Sequence, residues 1–201
     1  MFTNYFNETH EEVRRNIRRF VERNIQPHIN TWEEAGTFPR EIYKLAGDAG
    51  ILGIGYPEEF GGNSEGDYFM SLVVTEELLR AGSGGFFSSL MSHGIALPPI
   101  AKWGSPEMKA RIVPEVLSGD KIIALAVTEP GGGSDVANLK TRAVDCGDHD
   151  TVSGSKTYIT SGIRADYYTV AVRTGGDGYG GISMLLIEKG TPGFTTGQPL
   201  K

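Results

Sequence analysis

Through the first part of the chain apolar side chains recur at three- and four-residue spacing, and from Lys121 onward the spacing falls towards two. The first pattern is that of amphipathic helices with one buried stripe, the second that of strands with alternating faces. Val13, Ile17, Phe20, Val21 and Ile25 share a helical stripe, and Thr9 with Glu12 forms a capping-box pattern ahead of it. A second, shorter helix is predicted over 39–50, with Pro39 in its first turn, Ile42, Leu45 and Ala46 on one face and Gly50 as its stop. The stretch LGIGYPEEFGGNSEGD reads as a loop. Asp67 then caps a helix running to about Ala81, whose stripe is Phe69, Met70, Val73, Val74, Glu77 and Leu78. Phe86 to Ile100 has His93 as its only ionisable group and reads as a buried helix, and Ser105-Pro106-Glu107 opens another that ends near Gly119.

Beyond Lys121, IIALAVT, TYIT, YYTVAVR and ISMLLIE are the strand candidates, separated by Gly- and Asp-rich turns. The expected fold is therefore α+β: an all-α domain over residues 1–121, followed by an antiparallel β-barrel-like domain over 122–201 that is truncated. Four strands without a closing element leave unpaired edges and an uncovered apolar face, so the β domain is expected to be incomplete.

Composition narrows the chemistry. A formal net charge of −6 over 201 residues disfavours a nucleic-acid scaffold, which draws on clustered Lys and Arg. The single cysteine, Cys146, excludes an internal disulfide and a CxxC metal site, and the four histidines show no ligand spacing, so no metal is expected. MFTNYFNETHEE has neither a basic nor an apolar leader region, and no apolar run nears the ~20 residues of a membrane helix. A cytoplasmic protein with no membrane partner is expected. Arg14, Arg15, Arg18 and Arg19 read as a solvated or subunit-facing surface of the first helix.

The 28 glycines concentrate where chemistry is sought. In LAVTEPGGGSD, residues 125–135, an apolar strand runs into a glycine turn that lets main chain approach a ligand and carries the hydroxyls of Thr128 and Ser134. This string, with GSKTYITSG at 154–162, resembles the acyl-CoA dehydrogenase family. That family's first signature asks for a small residue, an aliphatic one, Ser/Thr, Glu, two free positions, a small residue, Gly, Ser/Thr and Asp, and Ala126 to Asp135 meet every term. WEEAGTFPRE, GILGIGYPEEFGG, SPEMKARIVPEVLSGD and the late PGF extend the likeness over the whole chain.

The resemblance implies a flavoenzyme that uses FAD to oxidise an acyl-CoA thioester to its 2-enoyl-CoA and passes electrons to an electron-transfer flavoprotein. It implies that Leu125, Ala126, Val127, Thr128, Gly133 and Ser134 line the flavin, with Ser134 also touching the CoA chain. By the same likeness Tyr158 packs on the flavin and Thr160 bonds near its N5, with Ile159 between them. Many relatives carry Trp where Tyr158 stands. The family's catalytic glutamate belongs to a C-terminal helical domain past Lys201, so no catalytic base is expected in this chain, and Glu129 is read as a structural carboxylate. Family members are usually dimers of dimers, so a homo-oligomer is expected of the full-length protein.

Three other patterns fail on context. Gly176-x-Gly178-x-x-Gly181 is followed by a strand instead of a helix, Gly62-x-Ser64-x-Gly66 has no strand before it, and Ser153-x-x-Lys156 lacks its companion motifs. Two further readings stay open. One is an oxidase of the same fold that passes electrons to oxygen, and the other is a non-catalytic half of a split protein.

Overall fold

The computed structural model describes residues 5–63 and 66–199, which leaves Ser64 of the Gly62–Gly66 pattern outside the described residues. Eight α-helices are described: α1 (Glu8–Asn24), α2 (Ile29–Ala35), α3 (Glu41–Asp48), α4 (Tyr68–Leu79), α5 (Gly84–Leu90), α6 (His93–Ala96), α7 (Pro98–Trp103) and α8 (Pro106–Leu117). Five strands follow or interleave: β1 (Ile123–Ala126), β2 (Arg142–Asp145), β3 (Asp150–Ser153), β4 (Tyr167–Arg173) and β5 (Ile182–Glu188). The chain forms two compact units that interleave in sequence. One is built on the residues up to Met91 with Glu107–Asp120, the other on Ser92–Pro106 with the chain from Lys121 onward.

The helical unit is organised by the pairing of α1 with α4. Ile17, Phe20 and Val21 are buried on α1, and Met70, Val73, Val74 and Leu78 on α4. The α1 cap is Asn7 and not the expected Thr9: the Asn7 side chain accepts the His10 N–H, and His10 Nδ1 accepts the Asn7 N–H, both at 3.0 Å. His10 Nε2 lies 2.9 Å from Asp67, whose side chain also accepts the Met70 N–H as the α4 cap, so the two helix starts are tied together. The basic face is not wholly solvated, because Arg14 and Arg18 both reach the Glu77 carboxylate, which is 2% exposed. The hydrogen bonds from Arg18, aided by Arg14, hold Glu77 below the usual carboxylate range against the opposing effect of burial. At Gly119 φ is +76°, and a Cβ there would run into the Tyr43 carbonyl, so the chain after α8 packs on α3 backbone to backbone.

The expected single helix over 86–100 is broken into α5, α6 and α7. Pro98 and Pro99 supply no N–H to an intrahelical ladder, and the turn at Met91 separates α5 from α6. Helix α2 has no counterpart among the predicted elements; its second half falls in the family string WEEAGTFPRE, which begins at Trp32.

In the second unit every residue of β4 is buried. One edge of β4 pairs antiparallel with β5 along its full length, from Tyr167↔Glu188 to Arg173↔Ile182. Its other edge is shared: β1 runs parallel to it from Ile123↔Tyr167 to Ala126↔Val170, and β2 joins parallel at Arg142↔Arg173. Strand β3 folds back antiparallel on β2. The sheet is thus mixed and not the expected antiparallel one, since β1 reaches β4 only after the β2–β3 hairpin, and it does not close into a barrel. Helix α6 seats on this sheet through Ser92 Oγ to the Ile123 carbonyl (3.0 Å) and Thr169 Oγ1 to the Ala96 carbonyl (2.7 Å).

TYIT is not a strand. Tyr158 has φ +56° and Ser161 φ +61°, left-handed values that no regular strand accommodates. The glycine pattern at 176–181 is the loop between β4 and β5, as expected of a hairpin.

Candidate functional site

Between Ala126 and Arg142 the chain leaves the edge of β4 and returns, and the excursion in between carries the glycine turn. Leu125 and Ala126 are still in β1, half-buried and buried respectively, and register with Thr169 and Val170. Val127 and Thr128 follow, half-buried. A tight turn closes on Glu129 and Gly132, whose main chains exchange hydrogen bonds of 3.0 and 3.1 Å. Pro130 suits the second position of such a turn. Gly131 and Gly132 would meet nothing on acquiring a Cβ, whereas a Cβ on Gly133 would stand 3.1 Å from the Thr128 methyl. Of the three glycines, Gly133 is the one that packing demands. Gly133 and Ser134 are exposed.

The second motif lies alongside the first. The Thr157 N–H donates to the Thr128 carbonyl at 2.9 Å, and Lys156 Nζ donates to the Val127 carbonyl at 2.9 Å. After Thr157 the chain turns through Tyr158, which is 74% exposed, the half-buried Ile159 and the exposed Thr160. The turn is held from below by Tyr168 of β4, whose hydroxyl donates towards the carbonyls of Gly162 (2.8 Å) and Ala165 (3.0 Å). The structure therefore brings Leu125–Thr128, Gly133 and Ser134 together with Tyr158–Thr160 on one unit. Among the described residues, the hydroxyls of Thr128, Ser134 and Thr160 donate to no protein acceptor. A polar, ring-edged ligand would find three hydroxyls and an uncovered aromatic face on neighbouring segments, which fits the flavin that the sequence motifs imply.

Glu129 is bonded to the returning limb of the excursion and to Lys156. One oxygen accepts from the Thr141 N–H (2.8 Å), the Thr141 hydroxyl (2.5 Å) and Lys156 Nζ (2.9 Å), and the other accepts from the Lys140 N–H (2.7 Å). Burial works to raise this carboxyl, but the Thr141 hydroxyl, the two main-chain donors and Lys156 together outweigh it and hold the pKa at about 2. A carboxylate so occupied cannot serve as a proton acceptor near neutral pH, in keeping with its structural reading. Burial pushes the Lys156 ammonium down, with Glu129 opposing. A cleft of about 290 Å³ adjoins this cluster, bordered by Gly131–Gly133, Val136 and Gly154.

Arg173, 8% exposed at the end of β4, donates to four carbonyls: Leu139 (3.0 Å), Ala137 (2.6 Å), Gly176 (2.5 Å) and Gly178 (3.2 Å). It binds the returning limb of the excursion to the β4–β5 loop. Sequence reasoning gave Thr141 and Arg173 no part in this region, and met Lys156 only within GSKTYITSG and the Ser153-x-x-Lys156 pattern, without a role. The legible signal was charge isolation, since Lys156 is the lone charged residue between Asp150 and Arg164 and Glu129 the lone one between Lys121 and Asp135. Ser153, the other half of the Ser-x-x-Lys pattern, is exposed on β3, and the Lys156 ammonium is engaged with Val127 and Glu129. No His/Cys/Asp/Glu cluster able to hold a metal and no helix able to cross a membrane is present among the described residues.

Comparison with known proteins agrees with this layout. Residues 7–120 match the family model "Acyl-CoA dehydrogenase, N-terminal domain", and residues 124–201 match "Acyl-CoA dehydrogenase, middle domain". The long-chain specific acyl-CoA dehydrogenase of Sus scrofa mitochondria is 36% identical over 198 residues, covering 97% of this chain and 46% of the relative. A solved putative acyl-CoA dehydrogenase from Mycobacterium smegmatis superposes with a TM-score of 0.94 at 47% identity, covering 98% of this chain and 52% of that one. PigA, solved with FAD and proline, superposes with a TM-score of 0.91 at 29% identity, covering 100% and 52%. The chain thus spans about half the length of the relatives it matches. With both of its halves matched in order, and the signature turn standing where the sheet releases it, the chain belongs to the acyl-CoA dehydrogenase family.

Proposed function

We propose that this chain supplies one wall of an FAD site for the α,β-dehydrogenation of an acyl-CoA thioester to a 2-enoyl-CoA, with an electron-transfer flavoprotein as electron acceptor. The observation that carries the reading is the 2.9 Å hydrogen bond from Thr157 to Thr128, which sets the two motif segments side by side, with Ser134, Tyr158 and Thr160 exposed. When bound, the flavin supplies a hydride acceptor for the acyl β-carbon. Thr128 and Val127 would hold its polar edge, Thr160 would donate a hydrogen bond where negative charge develops, and Tyr158 would cover its ring. Ser134, exposed at the end of the turn, would touch the CoA chain as well.

Glu129 is not free to remove the α-proton, because both of its oxygens are saturated with donors. The base is assigned to a part of the protein outside residues 1–201, and the 201-residue chain alone is expected to be inactive. The protein made from its whole reading frame should purify yellow and bleach on addition of an acyl-CoA. A colourless preparation that reduces no dye with acyl-CoAs of any chain length refutes the dehydrogenase reading, and bleaching that reverses in air with oxygen uptake assigns it to the oxidases.

A further inference from the structure

Two charges are buried where the two motif segments meet: the Glu129 and Lys156 side chains are 9% and 10% exposed, and their charged atoms are 2.9 Å apart. Taking both groups out of water is costly, and an apolar pair of similar size packs as stably in many proteins, so stability alone does not account for the choice. What a buried pair of this kind adds is fixed geometry. Glu129 cannot swing, because Lys140 and Thr141, the two residues before β2, hold both of its oxygens. Lys156 takes its position from that fixed carboxylate and from the Val127 carbonyl, and the very next N–H, that of Thr157, makes the bond to Thr128.

One main-chain hydrogen bond leaves a segment free to pivot about it, and a second attachment one residue away removes that freedom. Gly154 completes the arrangement. A Cβ there would stand 2.5 Å from Thr141 Oγ1, so the chain entering Lys156 is pressed against the same threonine that bonds Glu129.

We infer that Lys156, anchored by Glu129, is a positioning residue that sets the placement of Tyr158–Thr160 against Val127 and Thr128. The inference rests on the flavin reading above, since those are the residues assigned to the ring. Lys156 itself touches no reacting atom.

The test uses the full-length protein as Lys156→Met and Lys156→Arg, with three readouts: FAD affinity after flavin stripping, the position of the flavin absorption bands, and amide hydrogen exchange of residues 156–163 in the flavin-free protein. K156M is expected to bind FAD roughly tenfold more weakly, with shifted bands and faster exchange. K156R keeps the charge and the donors and is expected to lie closer to the native protein on all three. K156M with affinity within about twofold of native and unshifted bands overturns the inference, as does K156R no better than K156M. If K156M does not fold, Lys156→Gln is judged by the same readouts and limits. A native protein that binds no FAD defeats the flavin reading itself, and unchanged exchange in K156M then removes the positioning role independently.

Discussion

The carbonyl of Thr128 accepts the N–H of Thr157 at 2.9 Å, although neither residue belongs to a strand. The bond lies just beyond the end of β1 and joins two stretches of sequence recognisable separately only as motifs.

The three glycines of the turn are expected to respond differently. Gly133→Ala brings a Cβ to 3.1 Å from the Thr128 methyl and should turn that side chain, weakening FAD binding roughly tenfold while leaving the fold intact. Gly131→Ala and Gly132→Ala enter open space without a left-handed φ, and should change stability by no more than about 0.5 kcal/mol. Flavin titration and thermal melting of the three variants check the contrast.

Glu129 is depressed from 4.5 to about 2, so its contribution is fully present above the unfolded value near 4.5 and is lost as the pH falls from there towards 2. A shift of this size corresponds to about 3 kcal/mol. Denaturant unfolding of the native protein and of Glu129→Gln should therefore differ by a constant amount at neutral pH and converge below pH 4.5. A difference that stays constant down to pH 2.5 contradicts the assignment.

Gly119 combines a φ of +76° with a Cβ position occupied by the Tyr43 carbonyl. Gly119→Ala is expected to cost about 3 kcal/mol or more, from backbone strain and displacement of α3 together. Circular dichroism during urea unfolding reads the loss, and FAD affinity of the folded fraction should change little.

Arg173 serves four carbonyls with a planar, five-donor group that an ammonium cannot imitate. Arg173→Lys should keep the sheet but loosen residues 174–181 and 137–139, at about 2 kcal/mol. Faster amide exchange confined to those two stretches is the expected result.

Much of the fold was legible where local pattern and burial agree. Strands β4 and β5 coincide with YYTVAVR and ISMLLIE, and α4 starts at the Asp67 cap. Failures fall where a tertiary partner overrides the local preference. TYIT has the β-branched composition of a strand, but Tyr168 and the bond to Thr128 hold it in a turn that puts Tyr158 at a positive φ. The β2–β3 hairpin escaped notice because its strands are four residues each and mostly exposed, which leaves little alternation to read. The glycine motif could be found from sequence, but its support could not: Thr141, Lys156 and Arg173 act through contacts distant in the chain.

The excursion between Ala126 and Arg142 has a consequence for how this region tolerates change in length. Its ends are fixed to Val170 and Arg173, three steps apart on one rigid strand, a span of roughly 10 Å. Residues added or removed at the tip, near Gly131, leave both attachments where they are and alter only the closure entropy, which grows slowly with loop size. The same change beside Gly133 or Lys140 would shift a contact to Thr128 or Glu129, so length variation should be admitted at the apex of the turn and refused on its limbs.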